Sequence, residues 1–280
     1  MKFDVKNLGF MQGRLSPLQF NKIQAFPWEH WKDEFEVAHK IDLRLIEWTI
    51  DCYKFEDNPL FTCQDEIKNL MQRFKVSVES VTDDDFMENP PWKYESGYSR
   101  ERILKIISAM GELGAGILVV PLVDNSSISN CPNLFELNYF LKDLQSQLAK
   151  SSVRIAFELD LSPREVEIFI NNLDERYFGI NYDVGNSASL GHSPLNEIKY
   201  YGNRIINVHI KDRILGGGSV QLGRGNADLK LVFEELHRIR YEGNYIFQTA
   251  RSSTGNHEKE ITDSKKFVEN LILELEGTKS

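Results

Sequence analysis

The 280-residue chain is predicted to fold as a single (β/α)₈ TIM barrel, on three observations. Short β-branched and aromatic runs alternate with longer stretches of helical period from one end to the other, eight such pairs can be traced, and no Pro/Gly/Ser-rich linker separates them. Eight βα units in a chain of this length match a barrel, whereas a doubly wound open sheet has about five or six strands and a topological switch point. One domain over residues 1–280 is therefore expected.

The strands are read as LGFMQG from Leu8, LRLIEW from Leu43, VSVESV from Val76, ILVVPLV from Ile117, VRIAFEL from Val153, FGINYDV from Phe178, IINVHIK from Ile205 and NYIFQTA from Asn244. Their near-continuous apolar character suits parallel strands covered on both faces. Between them apolar residues recur at helical spacing: Ile103, Ile106, Ile107, Met110 and Leu113; Leu134, Leu137, Leu141, Leu144 and Leu148; Leu229, Val232, Phe233, Leu236 and Ile239. Ser162-Pro163 and Ser193-Pro194 place a capping serine before a proline at the first helical position. Gly114, Gly116 and Gly243 mark helix ends leading into strands. The first unit is the least regular, because the connection after its strand is long and contains Pro27-Trp28.

Composition bounds the partners. With 41% hydrophobic and 27% charged residues the chain has ordinary globular balance, and its net charge of −9 disfavours a nucleic-acid backbone or anionic membrane as main partner. Cys52, Cys63 and Cys131 form neither an even set nor a CxxC spacing, so reduced thiols in a cytoplasmic protein are expected. No signal peptide or membrane-spanning stretch is read in the sequence.

In a (β/α)₈ barrel the active site is built where strands end, so ionisable residues there carry the chemistry. The second strand closes on Glu47, the fifth on Glu158, the sixth on Asp183, the seventh on His209 and the eighth on Gln248. A carboxylate inside a run such as IAFEL is costly to bury without a partner, and a shared cation removes that cost. Glu158, Asp183 and His209 offer oxygen and nitrogen donors suited to Mn²⁺, Mg²⁺, Co²⁺ or Zn²⁺. Taken singly, Asp183 also suits a cap of the DVGN turn and His209 a satisfied core histidine; three such groups on consecutive strand ends favour the metal. Arg14, Arg213 and Arg251 are rim candidates for gripping a substrate phosphate or carboxylate. Glycines 216, 217, 218, 223 and 225 follow the seventh strand, where such barrels bind phosphate on backbone N–H groups. Asp228 is expected to cap the next helix, and Trp48 and Phe86 could wall the apolar side of a substrate or simply pack.

Together these segments resemble the xylose-isomerase-like barrel superfamily of sugar and sugar-phosphate isomerases and epimerases, which also includes inosose dehydratases and a zinc-dependent endonuclease for abasic sites. The resemblance spans essentially the whole chain. It is carried by MQGRLSP (Met11 to Pro17), IEW (Ile46 to Trp48), FELD (Phe157 to Asp160), YDVGNSASLG (Tyr182 to Gly191), VHIKDR (Val208 to Arg213) and LGRGNADL (Leu222 to Leu229). It implies that Glu158, Asp183, His209 and the residue at 248 hold one divalent ion. It also implies that the glutamates of strands five and eight act as paired acid and base on opposite faces of the substrate. Glu158 keeps that role, but Gln248 departs from the pattern, since a carboxamide can ligate through oxygen and cannot act as a base.

A second proton carrier is then sought among Glu47, Lys211 and Asp212, or in a water bound to the metal. The expected function is metal-dependent isomerisation or epimerisation of a sugar or sugar phosphate through an enediolate. Glu158 and Lys211 are the catalytic candidates, and Arg14, Glu47, Arg213 and Arg251 the substrate-binding ones. The alternatives are an inosose-type dehydratase, and a sugar-binding barrel that has lost catalysis. The endonuclease reading is disfavoured because only His209 among the histidines stands clearly at a strand end. The partner expected is a small sugar or sugar phosphate, with no nucleic acid and no membrane; assembly into a homo-oligomer stays open.

Overall fold

Eight parallel strands close on themselves into a barrel in which each strand lies beside the next in sequence and the last beside the first. In this computed structural model, which describes residues 7–92 and 96–277, each strand falls where an apolar run places it. They are β1 (Leu8–Met11), β2 (Leu45–Ile50), β3 (Ser77–Asp83), β4 (Ile117–Leu122), β5 (Arg154–Leu159), β6 (Phe178–Asp183), β7 (Ile205–Ile210) and β8 (Asn244–Phe247). The outer ring comprises α1 (Asp33–Lys40), α2 (Gln64–Phe74), α3 (Ser96–Leu113), α4 (Leu134–Ser151), α5 (Pro163–Asn171), α6 (Pro194–Tyr201), α7 (Leu229–Arg238) and α8 (His257–Gly277). The (β/α)₈ architecture expected from the unit count is thus present. Among the described residues no helix is long and apolar enough to cross a membrane.

The helical stripes bury as their spacing requires. Ile103, Ile106, Ile107, Met110 and Leu113 of α3 are all buried, as are Leu137, Leu141, Leu144 and Leu148 of α4. Leu134, the first helical residue of α4, departs from its stripe and is 49% exposed. At the start of α5 the Ser162 N–H donates to Glu165 at 3.0 Å, closing a capping box ahead of Pro163. Trp48 and Phe86 lie in the core, the former donating its indole N–H to Asn58 at 2.9 Å, so neither walls a sugar site.

Inside the barrel the lowest layer is apolar and tightly fitted. Met11, Leu45 and Ile246 form one cluster, and Val119, Ala156 and Ile206 another. Gly9 belongs to this layer because a Cβ there would lie 2.6 Å from the Leu45 Cβ. One layer towards the strand C-termini the interior turns polar, with Glu47, Ser80, Asn181 and Asn207 all buried.

Two ionic devices tie connections to this frame. Arg102 on α3 donates to Asp83 at the end of β3 at 2.6 and 2.7 Å, lies 3.5 Å from Asp85, and stacks over the Phe55 ring. Burial works against its charge, but Asp83 and Asp85 outweigh that and hold the guanidinium above its ordinary value. On the other side, Glu34 of α1 anchors the irregular connection after β1 by accepting the N–H groups of Gly13 at 2.9 Å and Leu15 at 3.0 Å.

Burial pushes Glu34 from 4.5 up to about 7, against the opposing effect of those N–H groups. Between these values the folded chain keeps a proton that the unfolded chain has released. The resulting stability is present in full below the lower value and is lost as pH rises through the upper one. A shift of this size corresponds to about 3 kcal/mol. Urea denaturation of wild type and Glu34→Gln is expected to show the wild type losing roughly that amount relative to the variant between about pH 4 and pH 8. A pH-independent difference would refute it.

Candidate metal centre

Glu158, Asp183 and His209 stand at the C-terminal ends of the adjacent strands β5, β6 and β7, and one donor atom from each lies within 4.8 Å of the others. All three side chains are buried. The local chain path explains the convergence. Ile180 pairs with Ile205 but Asn181 pairs with Asn207, so β7 carries one extra residue, and above this bulge Asp183 and His209 come into register. Asp183 also serves the turn it ends: its Oδ1 accepts the Asn186 N–H at 2.7 Å and caps the short helix Val184–Leu190. Capping and convergence with Glu158 therefore coexist in one residue.

The ring of His209 is oriented from below. Its Nε2 lies 2.7 Å from Glu47 Oε1, and its Nδ1 faces Glu158 Oε2 at 3.3 Å and the Asn181 amide at 3.1 Å. Burial opposes a charge on this imidazole, but Glu47 and Glu158 outweigh it and push it up to about 10. Glu47 itself corrects the rim placement expected of it. It is wholly buried inside the barrel, a layer below the strand ends, where Oε2 accepts from Ser80 Oγ at 2.8 Å and Asn207 Nδ2 at 2.9 Å. It thus holds the histidine rather than facing the cavity. A carboxylate behind a ligating imidazole fixes its ring and raises its basicity. Glu47→Gln is expected to weaken divalent-ion binding by about 10- to 100-fold, measured by titration calorimetry; unchanged affinity would exclude this support.

Around the three donors the remaining sequence candidates divide. Lys211 reaches the site, its Nζ lying 3.2 Å from Asp183 Oδ2, 3.3 Å from Asn186 Oδ1 and 3.1 Å from Gln248 Oε1. Gln248 therefore presents its carbonyl oxygen to Lys211, while its Nε2 donates to Gln24 Oε1 at 3.0 Å. Arg14 lines the cavity and donates to the Ile23 carbonyl at 2.6 Å. Arg213 lines it too, but its donors are engaged by the Gly217 carbonyl at 2.7 Å and Asn186 Oδ1 at 2.7 Å. Arg251 is drawn away from the substrate side: it donates to the carbonyls of Gly13 and of Ser16 and so staples the connection after β8 to the connection after β1.

The glycine segment is also differently employed. The Asp212 carboxylate accepts the N–H groups of Gly223 at 2.9 Å, Gly225 at 2.8 Å and Ala227 at 3.0 Å. The two glycine donors, expected to help cradle a phosphate, are occupied by an internal anion. Gly225 is required there, since a Cβ would lie 2.2 Å from Asp212 Oδ1. Asp228 caps α7 as expected, accepting the Leu231 N–H at 3.0 Å.

Several residues that shape the site carried no separate signal in the sequence reading. Asn181 donates to Glu158 Oε2 at 2.9 Å and Asn186 donates to Oε1 at 2.5 Å. Asn181 and Asn207 precede Asp183 and His209 by two residues, so strand alternation could have placed them inward. Gln24 and Asp84, on connections after β1 and β3, had no such marker.

Of the three donors Glu158 lines a cavity of about 510 Å³, whose wall also includes Arg14, Gln24, Asp84, Lys211 and Gln248. A larger groove of about 800 Å³ at the other end of the barrel is lined by Arg154, Tyr200 and Arg240 among others. The converging donors, not volume, mark the candidate site, and in this architecture chemistry is placed at the strand C-termini.

A family model described as xylose isomerase-like TIM barrel matches residues 35–271. A putative L-ribulose-5-phosphate 3-epimerase, SgbU, of Escherichia coli (strain K12) is 27% identical over 105 residues, which are 35% of this chain and 37% of that protein. The matched region thus spans little more than a third of that relative. A D-tagatose 3-epimerase-like protein superposes with a TM-score of 0.73 at 17% identity, over 98% of this chain and all of that one. The IOLI protein, solved with a zinc atom, superposes with a TM-score of 0.72 at 15% identity, over 95% of this chain and 98% of that one. At these identities the two superpositions establish the shared barrel.

Proposed function

The chain belongs to the xylose isomerase-like TIM barrel family, and from that premise we propose that it is a divalent-metal-dependent isomerase or epimerase of a keto sugar. The observation that carries this reading is the convergence of Glu158, Asp183 and His209 at the strand C-termini, beside a cavity of sugar size. Two carboxylates and an imidazole, backed by Glu47 and the Asn181 amide, form a donor set that fits a divalent ion. Such an ion would polarise the substrate carbonyl and neighbouring hydroxyl and stabilise the negative charge of an enediolate.

The chain supplies the rest. Glu158, fixed by the Asn181 and Asn186 amides, takes the proton from the carbon beside the carbonyl. Lys211, between Asp183 and Gln248, places a positive charge beside the developing oxyanion. Arg14 contributes a second cation to the wall.

Charge in the cavity favours an unphosphorylated substrate. Asp51, Asp84, Asp85, Glu88, Asp124, Glu158 and Asp160 line it against Arg14, Lys22, Lys211 and Arg213, so carboxylates outnumber cations. The Gly223 and Gly225 N–H groups are already taken by Asp212, and those of Gly216 and Gly217 by the carbonyls of Ser189 and Ile214. D-tagatose and L-ribulose 5-phosphate, the sugars in the names of the relatives above, are the probes of choice. Incubated in D₂O with protein and Mn²⁺, Mg²⁺, Co²⁺ or Zn²⁺, the preferred sugar exchanges the proton beside its carbonyl, read by NMR, and a chelator abolishes the exchange. Absence of exchange with every ion and both sugars would overturn the reading. Loss of a hydroxyl instead of epimer formation would turn it towards a dehydratase.

A further inference from the structure

We propose that Asp84 is the second acid–base residue of the cavity, exchanging a proton with the substrate face that Glu158 does not reach. The inference rests on the isomerase reading and fills the gap that Gln248 leaves in it. Gln248 has no proton to exchange, and both ends of its amide are engaged, by Lys211 and by Gln24. Gln24 in turn donates its own amide to Asp84 Oδ1. A polar chain therefore runs from the end of β8 across the cavity to the residue that follows β3.

Asp84 differs from the other cavity carboxylates that are shielded from solvent in being free to act, Asp124 and Glu88 being exposed. Its Oδ2 is out of solvent and has no hydrogen-bond partner. Asp51 accepts the N–H groups of Phe26 and Tyr53, Asp85 is paired with Arg102, and Asp160 accepts from the Asp124 N–H and the Ser127 hydroxyl. Glu88 accepts from Asn125 at the exposed margin of the cavity. Burial, seconded by the Asp83 charge, pushes Asp84 up to about 7, so that near neutral pH it can both hold and release a proton. The position is reached from a different strand end than Glu158, with β4 between the two.

In one direction Glu158 takes the proton and the C–H electron pair remains in the enediolate. The O–H bond of Asp84 then breaks as a new C–H bond forms on the other face. Glu158 ends protonated and Asp84 ionised, and proton exchange with water restores the pair. No oxidant or further reactant is needed.

The test compares wild type and Asp84→Asn, loaded with Mn²⁺, on D-tagatose and L-ribulose 5-phosphate in D₂O. NMR reads deuterium entry beside the carbonyl and epimer formation separately. Asp84→Asn is expected to keep deuterium entry on the Glu158 face while forming epimer at least ~100-fold more slowly, and Asp84→Glu to recover part of that loss. Epimer formed at the wild-type rate overturns the proposal, and so does loss of exchange together with epimer formation. Should Asp84→Asn melt early, the Asp84→Glu ratio of epimer to exchange decides, an unchanged ratio overturning it. No exchange by the wild type overturns the isomerase reading and this inference together. Independently of any sugar, the infrared difference between wild type and Asp84→Asn is expected to contain a protonated-carboxyl band at about pH 6 that fades by about pH 8. Its absence throughout overturns the proposal alone.

Discussion

Glu158→Gln is expected to slow deuterium exchange beside the sugar carbonyl by about 10²- to 10⁴-fold, the contribution of a positioned general base. The substitution keeps the side-chain volume and one oxygen for a cation but removes the proton acceptor. It also disturbs a matched set of hydrogen bonds, because Asn181 and Asn186 donate to both carboxylate oxygens. A glutamine must turn its own N–H₂ towards one of those donors, at a cost of about 1–3 kcal/mol. Calorimetric metal titration and thermal melting, run beside the NMR assay, separate the effects. Loss of exchange with metal still bound identifies Glu158 as the base, whereas exchange within a factor of three of wild type removes it from the reaction.

Arg102→Met is expected to lower stability by about 3–5 kcal/mol, since it leaves the buried Asp83 and Asp85 without their cation. No other described lysine or arginine forms a salt bridge with either carboxylate. For a domain of this size such a loss corresponds to a fall in Tm on the order of 10 °C. Burial already pushes Asp83 upward, so without Arg102 it would take up a proton more readily, and the deficit should shrink at acid pH. Urea denaturation at two pH values reads both effects. A destabilisation under about 1 kcal/mol would show that water or rearrangement replaces the pair. Because Asp84 lies between the two carboxylates in sequence, cavity chemistry should suffer along with stability.

The barrel was legible because its signal is repetitive. Eight apolar runs and the stripes between them, such as Ile103 to Leu113, state the same architecture many times over, so the displacement of Leu134 changes nothing. Glu158, Asp183 and His209 were legible for a related reason: strand ends are definite places in a sequence, and adjacent parallel strands bring their ends together. What was not legible depends on register and on irregular chain. A register shift between Ile46 and Glu47 accompanies the placement of Glu47 inside the barrel instead of on the rim. Arg251, Arg213 and Asp212 bond to backbone of connections whose path no periodicity describes, and that is why two expected substrate contacts and one candidate proton carrier prove occupied within the chain. Gln24 and Asp84 belong to the same category.

Ser80, Glu47, Asn207, Asn181 and Glu158 are joined in an unbroken run of hydrogen bonds across the barrel interior. Each member satisfies its neighbours, so no single one can be exchanged for an aliphatic residue without stranding another. Saturation mutagenesis should therefore trace two concentric zones on the same strands. Outward positions such as Ile155 and Val208 would accept most aliphatic replacements, while this inner ring would accept almost none singly and recover only when several members change together. Anyone recasting the barrel for a new ligand would find its axis alterable only as a block.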